Sequence, residues 1–381
     1  MIAARFAFIA LLLVLLHLGA EAWRHRRRLR RIPLRIHVNG TRGKTSVTRL
    51  IAAALRQAGI RTLAKVTGDE PRLILPDGTE QTIARRGPAR IQEQLWFIRQ
   101  AVAWRAEAVV VECMALAPEL QQVTEERMLR ATIGVITNVR PDHFEVMGGD
   151  LDAVAAALAR TIPQQGVLIT AERRYFQALA AGAAARGSRI IRAEAPAAAA
   201  GNALPSDEHQ AIVRAVCAEL KLAPPEAGRP WTPEVWRLEG RDRRVFLLNA
   251  FSANDPVSTA LLQEFARRSV ALPRPWVALL NNRADRPRRM DAFLDFLQTD
   301  ASCEAVALGG ELGRLARRRL GRRLPAGRPV WVLESANPEA ALDEIGRRLD
   351  RREFSVVGMG NARGLGLALA GIFREKGIRC H

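Results

Sequence analysis

The stretch Val38-Asn39-Gly40-Thr41-Arg42-Gly43-Lys44-Thr45-Ser46 leaves this chain few ways to fold. It follows a short apolar run, Leu34 to Val38, and opens a segment of helical patterning, Val47 to Gln57. Strand, glycine turn, Lys-Thr and helix together form the frame that cradles a nucleoside triphosphate. The glycines let backbone N–H groups point at phosphate oxygens, and the helix N-terminus adds partial positive charge. In that frame Gly40, Thr41, Arg42, Gly43 and Ser46 wrap the phosphates. Lys44 reaches the β- and γ-phosphates, and the Thr45 hydroxyl ligates Mg²⁺. The usual P-loop has glycine where Val38 stands, so this is a shorter form of the motif.

From Leu34 onward, apolar strand-like runs alternate with helix-patterned segments. Strands are expected at Leu34–Asn39, Thr62–Val66, Ala108–Cys113, Thr132–Asn138 and Gly166–Thr170. Thr45–Ala58, Arg90–Arg105, Pro118–Met128 and Leu151–Thr161 read as helices. This rhythm, with near-continuous apolar strands, predicts an α/β fold built on a parallel sheet covered on both faces. Pro76-Asp77-Gly78-Thr79 reads as a hairpin turn. Composition shifts at Ala193–Pro205 and again at Leu222–Pro230, and the second stretch is the better domain boundary. Beyond it the alternation resumes, with strands expected at Val245–Asn249, Trp276–Leu280, Ala305–Leu308, Val330–Leu333 and Phe354–Val357. The expected organisation is a membrane anchor over 1–23, a basic juxtamembrane segment over 24–33, a P-loop domain over 34–228 and a smaller α/β domain over 229–381. A nucleotide would be closed between the last two.

The N-terminus carries its own signal. Ile2 to Ala22 is nearly all apolar, and Trp23-Arg24-His25-Arg26-Arg27-Arg28-Leu29-Arg30-Arg31 follows it. A cleaved signal peptide would have its main basic cluster before the apolar run. Here the cluster comes after, so the positive-inside rule leaves the bulk of the chain in the cytoplasm, below a single-pass anchor in the cytoplasmic (inner) membrane. The other reading is an interfacial helix lying on the inner leaflet. Net charge is +19, and all but the lysines at 44, 65, 221 and 376 of the 58 basic residues are arginine. Either codon bias, a polyanionic product, an acidic membrane surface or nucleic acid would account for this. Nucleic acid fits least, since one tyrosine and no basic-aromatic interleaving offer little for bases to stack on. The four cysteines are scattered, which suits reduced thiols and suggests neither a zinc site nor a disulfide framework.

Further motifs sit at expected strand ends, where ligands bind in open α/β sheets. Val109-Val110-Val111-Glu112 ends in a lone carboxylate, a natural Mg²⁺ ligand beside Thr45. Asn138, Asp142 and His143 follow the next strand. In the second half, Ala253-Asn254-Asp255-Pro256 and Asn281-Asn282-Arg283-Ala284-Asp285-Arg286 each follow a strand. Gly358-Met359-Gly360-Asn361-Ala362-Arg363-Gly364 lacks the following βαβ unit of a dinucleotide site, and reads as a loop closing on a nucleotide or as a helix cap.

These motifs resemble the Mur ligase superfamily, which makes amide bonds with ATP. The P-loop has its Gly-Thr-x-Gly-Lys-Thr-Ser form, and Thr137-Asn138 with Asp142-His143 is similar to its Thr-Asn-x-x-x-Asp-His-x-Asp signature, with Glu145 for the last acid. Adding Lys65-Val66-Thr67-Gly68, Arg85-Arg86-Gly87-Pro88, Glu93-Gln94, Glu112-Cys113-Met114-Ala115 and Val146-Met147-Gly148, nearly the whole chain resembles the CapB/PgsB family of poly-γ-glutamate synthase subunits. The absence of a domain for a nucleotide-linked sugar before the P-loop points the same way, away from cell-wall ligases. The carbamylated lysine that the superfamily often carries is missing from Ala156–Arg160.

The resemblance implies ATP-dependent ligation of glutamate into poly-γ-glutamate through an acyl phosphate. It implies Lys44, Glu112, His143 and Arg283 as catalytic residues, and Thr45, Glu112 and His143 as metal ligands. Asn138, Asn254, Asp255 and Arg283 would join the P-loop in holding ATP. Lys65, Arg85 and Arg86 would bind carboxylates of glutamate or of the anionic chain. Small integral-membrane and export subunits are the implied partners. The rival from another class is a membrane-tethered P-loop ATPase or kinase that energises transport. A third reading is an adaptor that binds anionic lipid or nucleic acid through its arginines.

Overall fold

The structure, a computed structural model, describes residues 2–67, 71–85, 87–194, 205–224, 234–240, 243–251, 253, 255–320, 324 and 327–380. The chain divides into two compact units, Met1–Gly228 and Arg229–His381.

The first unit holds an eight-stranded sheet: β1 (Leu34–Asn39), β2 (Thr62–Val66), β3 (Arg72–Ile74), β4 (Glu80–Thr82), β5 (Ala108–Glu112), β6 (Ile133–Ile136), β7 (Val167–Thr170) and β8 (Arg189–Arg192). Their order across the sheet is β4-β3-β2-β5-β1-β6-β7-β8. Six strands run parallel, and the β3–β4 hairpin adds an antiparallel edge across the turn Pro76–Thr79. The sheet is therefore mixed rather than purely parallel. The helices Lys44–Gln57 and Pro205–Glu219 cover one face, where Ile51 and Leu55 are fully buried against Ile36, Val38 and Val110. Each such side chain contributes about 1.5–3 kcal/mol by leaving water.

The segment Pro118–Leu129 departs from its expected single α-helix. It is α-helical only to Val123, and Thr124–Leu129 is a π-turn. The wider turn carries Glu125 under the sheet, where its carboxylate lies 2.8 Å from Nδ1 of His37 on β1. Both are buried. Burial alone would pull the His37 imidazole down, but Cys113 and Glu125 outweigh it and lift it to about 10.

The N-terminal helix runs unbroken from Ile2 to Leu29, and Phe8–Leu29 is long and apolar enough to cross a membrane. It is a candidate anchor. The basic segment begins inside this helix, and its inner face is docked: Leu29 and Ile32 pack with Phe97, Ile98 and Leu129, and His25 Nε2 lies 2.9 Å from the Met128 carbonyl.

The second unit is a seven-stranded sheet of β9 (Val235–Glu239), β10 (Arg244–Asn249), β11 (Trp276–Asn282), β12 (Ala305–Gly310), β13 (Val330–Val332), β14 (Glu353–Gly360) and β15 (Ile378–Arg379). The order is β13-β12-β11-β14-β10-β9-β15, with β9 and β15 antiparallel to their neighbours. Apolar clusters lie on both of its faces.

Candidate active site

Three neighbouring parallel strands, β5, β1 and β6, bring the first unit's motifs to one sheet edge. β1 runs into the loop Gly40–Gly43, and the helix Lys44–Gln57 starts directly after it. Gly43 takes a left-handed φ of 80°, which favours glycine, and a Cβ there would also lie 2.0 Å from Nε2 of His209. Gly40 is pressed as tightly, with Thr137 Oγ1 at 2.0 Å from where its Cβ would be. Lys44 arches over the loop, donating to the Gly40 carbonyl at 2.7 Å.

Register places Glu112 opposite Val38, so the β5 carboxylate ends level with the mouth of the loop. The Thr45 hydroxyl lies 3.0 Å from both Glu112 oxygens, and Glu112 Oε2 also accepts the Thr67 N–H at 2.7 Å. Glu112 is only 3% exposed. An anionic carboxylate, a hydroxyl and an ammonium thus converge at a helix N-terminus. The oxygen-only set of Thr45 and Glu112 fits a hard divalent cation that takes its remaining oxygens from phosphates and water. Among the described residues no group of three or more His, Cys, Asp or Glu is gathered to hold a metal by itself.

The side chain of Asn138, expected to touch nucleotide, is hydrogen-bonded to the loop. Its Oδ1 accepts from Thr41 Oγ1 at 2.8 Å and from the Arg42 N–H at 3.1 Å, and its Nδ2 donates to the Arg42 carbonyl at 3.3 Å. Thr137 Oγ1 donates to the same carbonyl at 2.6 Å. The pair therefore acts as a clamp that sets the loop's curvature. Removing the clamp with Asn138→Ala should raise the KM for ATP roughly ten- to a hundredfold with little change in kcat, since two or three hydrogen bonds of about 1 kcal/mol each are lost. Steady-state kinetics with an unchanged KM would contradict the clamp.

His143 begins the short helix Phe144–Met147 in a left-handed conformation. Its ring faces acids of its own loop, with Asp142 at 3.8 Å and Glu145 at 3.3 Å, while Arg42 reaches Asp142 at 3.3 Å. Lys65 is fully buried and ion-paired with Glu93 at 2.6 Å, with Gln94 Oε1 at 3.0 Å. Arg85 grips the same Glu93 by two bonds of 2.7 and 3.0 Å. Burial pushes the Glu93 carboxyl up, but Arg85 and Lys65 outweigh it and hold it below its usual range. Burial in turn lowers the Lys65 ammonium, against the pull of Glu93. Lys65 and Arg85 thus already share a carboxylate supplied by the chain itself. Arg86, Gly68 and Asn254 lie outside the described residues.

Asp255 caps the helix Pro256–Ser269, its Oδ1 accepting the Ser258 N–H at 2.9 Å. At the ends of β11 and β14, Asn281 Nδ2 donates to the Asn361 and Arg363 carbonyls at 2.6 and 2.7 Å, and Asn361 Nδ2 returns a bond to the Asn281 carbonyl at 3.1 Å. The Gly358–Gly364 stretch is thereby locked to the Asn281–Arg286 loop within the second unit. Arg283 pairs with Asp285 at 2.7 Å.

Sequence reasoning missed His209. Its helix packs on the P-loop helix, and burial followed by the nearby Arg140 charge lowers its imidazole to about 4, so a neutral ring rests on Gly43. No spacing links this histidine to the loop it touches.

The Mur ligase middle domain model matches residues 38–220, and the poly-gamma-glutamate synthase CapB C-terminal domain model matches residues 235–376. The Bacillus anthracis capsule biosynthesis protein CapB is 31% identical over 382 residues, covering 93% of this chain and 79% of the relative. The chain belongs to the CapB family of Mur ligases. A second CapB, the PGA synthase of Bacillus subtilis (strain 168), is 29% identical and covers 90% of this chain and 91% of its own. Among solved structures, the bifunctional folylpolyglutamate synthase/dihydrofolate synthase of Yersinia pestis superposes with a TM-score of 0.63 at 14% identity, covering 93% of both chains. The Thermotoga maritima folylpolyglutamate synthase gives 0.56 over 96% of this chain and 97% of its own. At such identity these likenesses speak to the fold alone. Membership of the CapB family makes the chain an ATP-dependent amide ligase and sets aside the transport ATPase, the kinase and the adaptor.

Proposed function

We propose that the chain extends poly-γ-glutamate, using ATP and Mg²⁺, at the cytoplasmic face of the membrane that holds its N-terminal helix. The observation that carries this is the Thr45 hydroxyl set 3.0 Å from both oxygens of Glu112 beside Lys44, in a chain of the CapB family. The names of both CapB relatives point to capsule or PGA synthesis. A folylpolyglutamate synthase of the same fold has been seen with Mn, AMPPNP and L-glutamate bound. The apolar part of this helix, Ile2–Ala22, suits a span, since its 21 residues rise about 31 Å against a hydrocarbon core of about 30 Å. Small membrane and export subunits are the partners such a synthase would need.

In the proposed reaction a carboxylate oxygen attacks the γ-phosphorus of ATP, the β,γ-bridging P–O bond breaks, and ADP leaves. The amine of the incoming glutamate then attacks the acyl carbon of the resulting acyl phosphate and expels phosphate, losing a proton as the amide forms. A divalent cation held there would supply neutralisation of the phosphate charge. Lys44 adds a compact positive charge at the γ-phosphate, which requires it to swing from the Gly40 carbonyl. Glu112 and Thr45 would hold that cation in register with the loop, and the Thr137–Asn138 clamp would fix the N–H groups that face the phosphates.

The test is ATP turnover in membranes carrying the chain with its partner subunits, with and without glutamate, for wild type and Lys44→Ala. Glutamate-dependent ADP and phosphate, matched by acid-stable polymer and reduced at least about a hundredfold in the variant, is the expected result. ATP hydrolysis indifferent to glutamate would sink the proposal.

A further inference from the structure

Where β1 and β6 begin, at the sheet edge opposite the P-loop, two adjoining cavities of about 410 and 370 Å³ lie at the root of the N-terminal helix. Arg26 and Arg130 border both, and Arg30 borders the larger. Arg26 and Arg30 stand one turn apart on the same side of the helix and its final turn. Two acids, Glu125 and Glu126, also line the larger cavity, and both are already engaged. Glu125 is held by His37 and the Ala131 N–H, and Glu126 by Gln122 and Arg186. Arg35 spends its guanidinium on the carbonyls of Arg130, Ile32 and Leu29. Among the described residues, no hydrogen bond or ion pair reaches the guanidinium groups of Arg26, Arg30 or Arg130, and all three are exposed. Three like charges therefore face one hollow whose two carboxylates are held by other partners.

The position of the hollow says which anion suits it. It opens just past the apolar stretch Ile2–Ala22, beside Trp23, an exposed aromatic of the kind that sits at the membrane–water interface, with Arg27 stacked 5.5 Å over its ring. Arg26 and Arg30 follow at headgroup depth. Arginine forks match phosphate oxygens two at a time and are weakly hydrated, so they suit a phosphodiester better than a diffuse carboxylate polymer.

We infer that this arginine-walled hollow binds the phosphate of an anionic phospholipid headgroup from the leaflet beside the helix. The inference rests on the reading of that helix as a membrane anchor. Headgroup binding there seats the strand-starting edge of the first unit on the bilayer. β1 is six residues long, roughly 20 Å, so the P-loop edge is held that far from the lipid surface.

The test uses the full chain reconstituted in nanodiscs of phosphatidylcholine alone or with phosphatidylglycerol, with retained lipid counted by native mass spectrometry after detergent extraction. Wild type should retain phosphatidylglycerol in preference to phosphatidylcholine. The triple variant Arg26→Gln/Arg30→Gln/Arg130→Gln should bind it on the order of a hundredfold more weakly, and Arg314→Gln/Arg317→Gln/Arg318→Gln, an equal loss of charge on an exposed helix of the other unit, should not. Wild type without lipid preference overturns the inference whatever the variants do, and equal losses in both variants reduce it to general charge attraction. Displacement by millimolar inorganic phosphate or soluble polyglutamate would assign the hollow to a free anion and overturn the lipid site. Failure to insert into either nanodisc would remove the anchor reading, and the lipid site with it, while leaving ligase activity in detergent unaffected.

Discussion

ATP turnover by the Glu112→Gln protein should fall roughly 10²–10³-fold, the usual consequence of removing one preorganised charge from a transition state. Glutamine keeps the shape of the side chain and its bond to the Thr67 N–H, but not the negative charge that faces Thr45. The lost charge should also show without turnover. Mn²⁺ titrated against the protein in the presence of a non-hydrolysable ATP analogue, followed by electron paramagnetic resonance, should bind at least about tenfold more weakly than to wild type, in line with the cost of disturbing metal ligation. Equal Mn²⁺ affinity in the two proteins would remove Glu112 from the cation site even if activity were lost.

The second large effect concerns stability. Glu125→Ala leaves the buried His37 imidazolium without its carboxylate partner and the Ala131 N–H without its acceptor, which should cost roughly 3–5 kcal/mol. The pH dependence carries the signature. His37 titrates near 10 when folded against 6.5 ordinarily, so its contribution is complete below about pH 6.5 and fades as pH rises toward 10. Denaturation of the full chain in detergent at pH 6.5, 8 and 9.5 should show wild type losing stability across that window and His37→Gln losing less. Parallel declines in the two proteins would refute a charged His37. Because β1 leads straight from His37 into Gly40, the pair also stiffens the strand from which the nucleotide loop springs.

What the sequence disclosed follows contiguity. The P-loop, Glu112 at the end of a four-residue apolar run, and Thr137-Asn138 could be read because strand, turn and ligand lie next to one another in the chain. The His37–Glu125 pair could not, because its members are 88 residues apart and the π-turn that unites them carries no compositional mark. Asn138 was legible as a member of the sheet edge, but nothing in its neighbours says that its amide turns back on the loop. Lys65 and Arg85 looked available for a substrate carboxylate because Glu93 approaches them only through the fold. Strands β9 and β15 escaped notice for another reason. β15 is two residues long, and β9 mixes Trp, Arg and Glu on a sheet edge that needs no apolar run.

The unbroken helix Ile2–Leu29 makes the N-terminus a stalk rather than a tether. A catalytic body on a slack linker tumbles and samples every orientation above a surface. One welded to a rod by Leu29, Ile32 and His25 inherits the rod's tilt and azimuth. Residues in such a rod are not neutral spacers, since each one added or removed turns the body by about 100° and shifts it by about 1.5 Å. If the helix spans a membrane as proposed, the length of its apolar stretch is thereby an angular setting, one that decides which neighbour in the membrane the catalytic body faces.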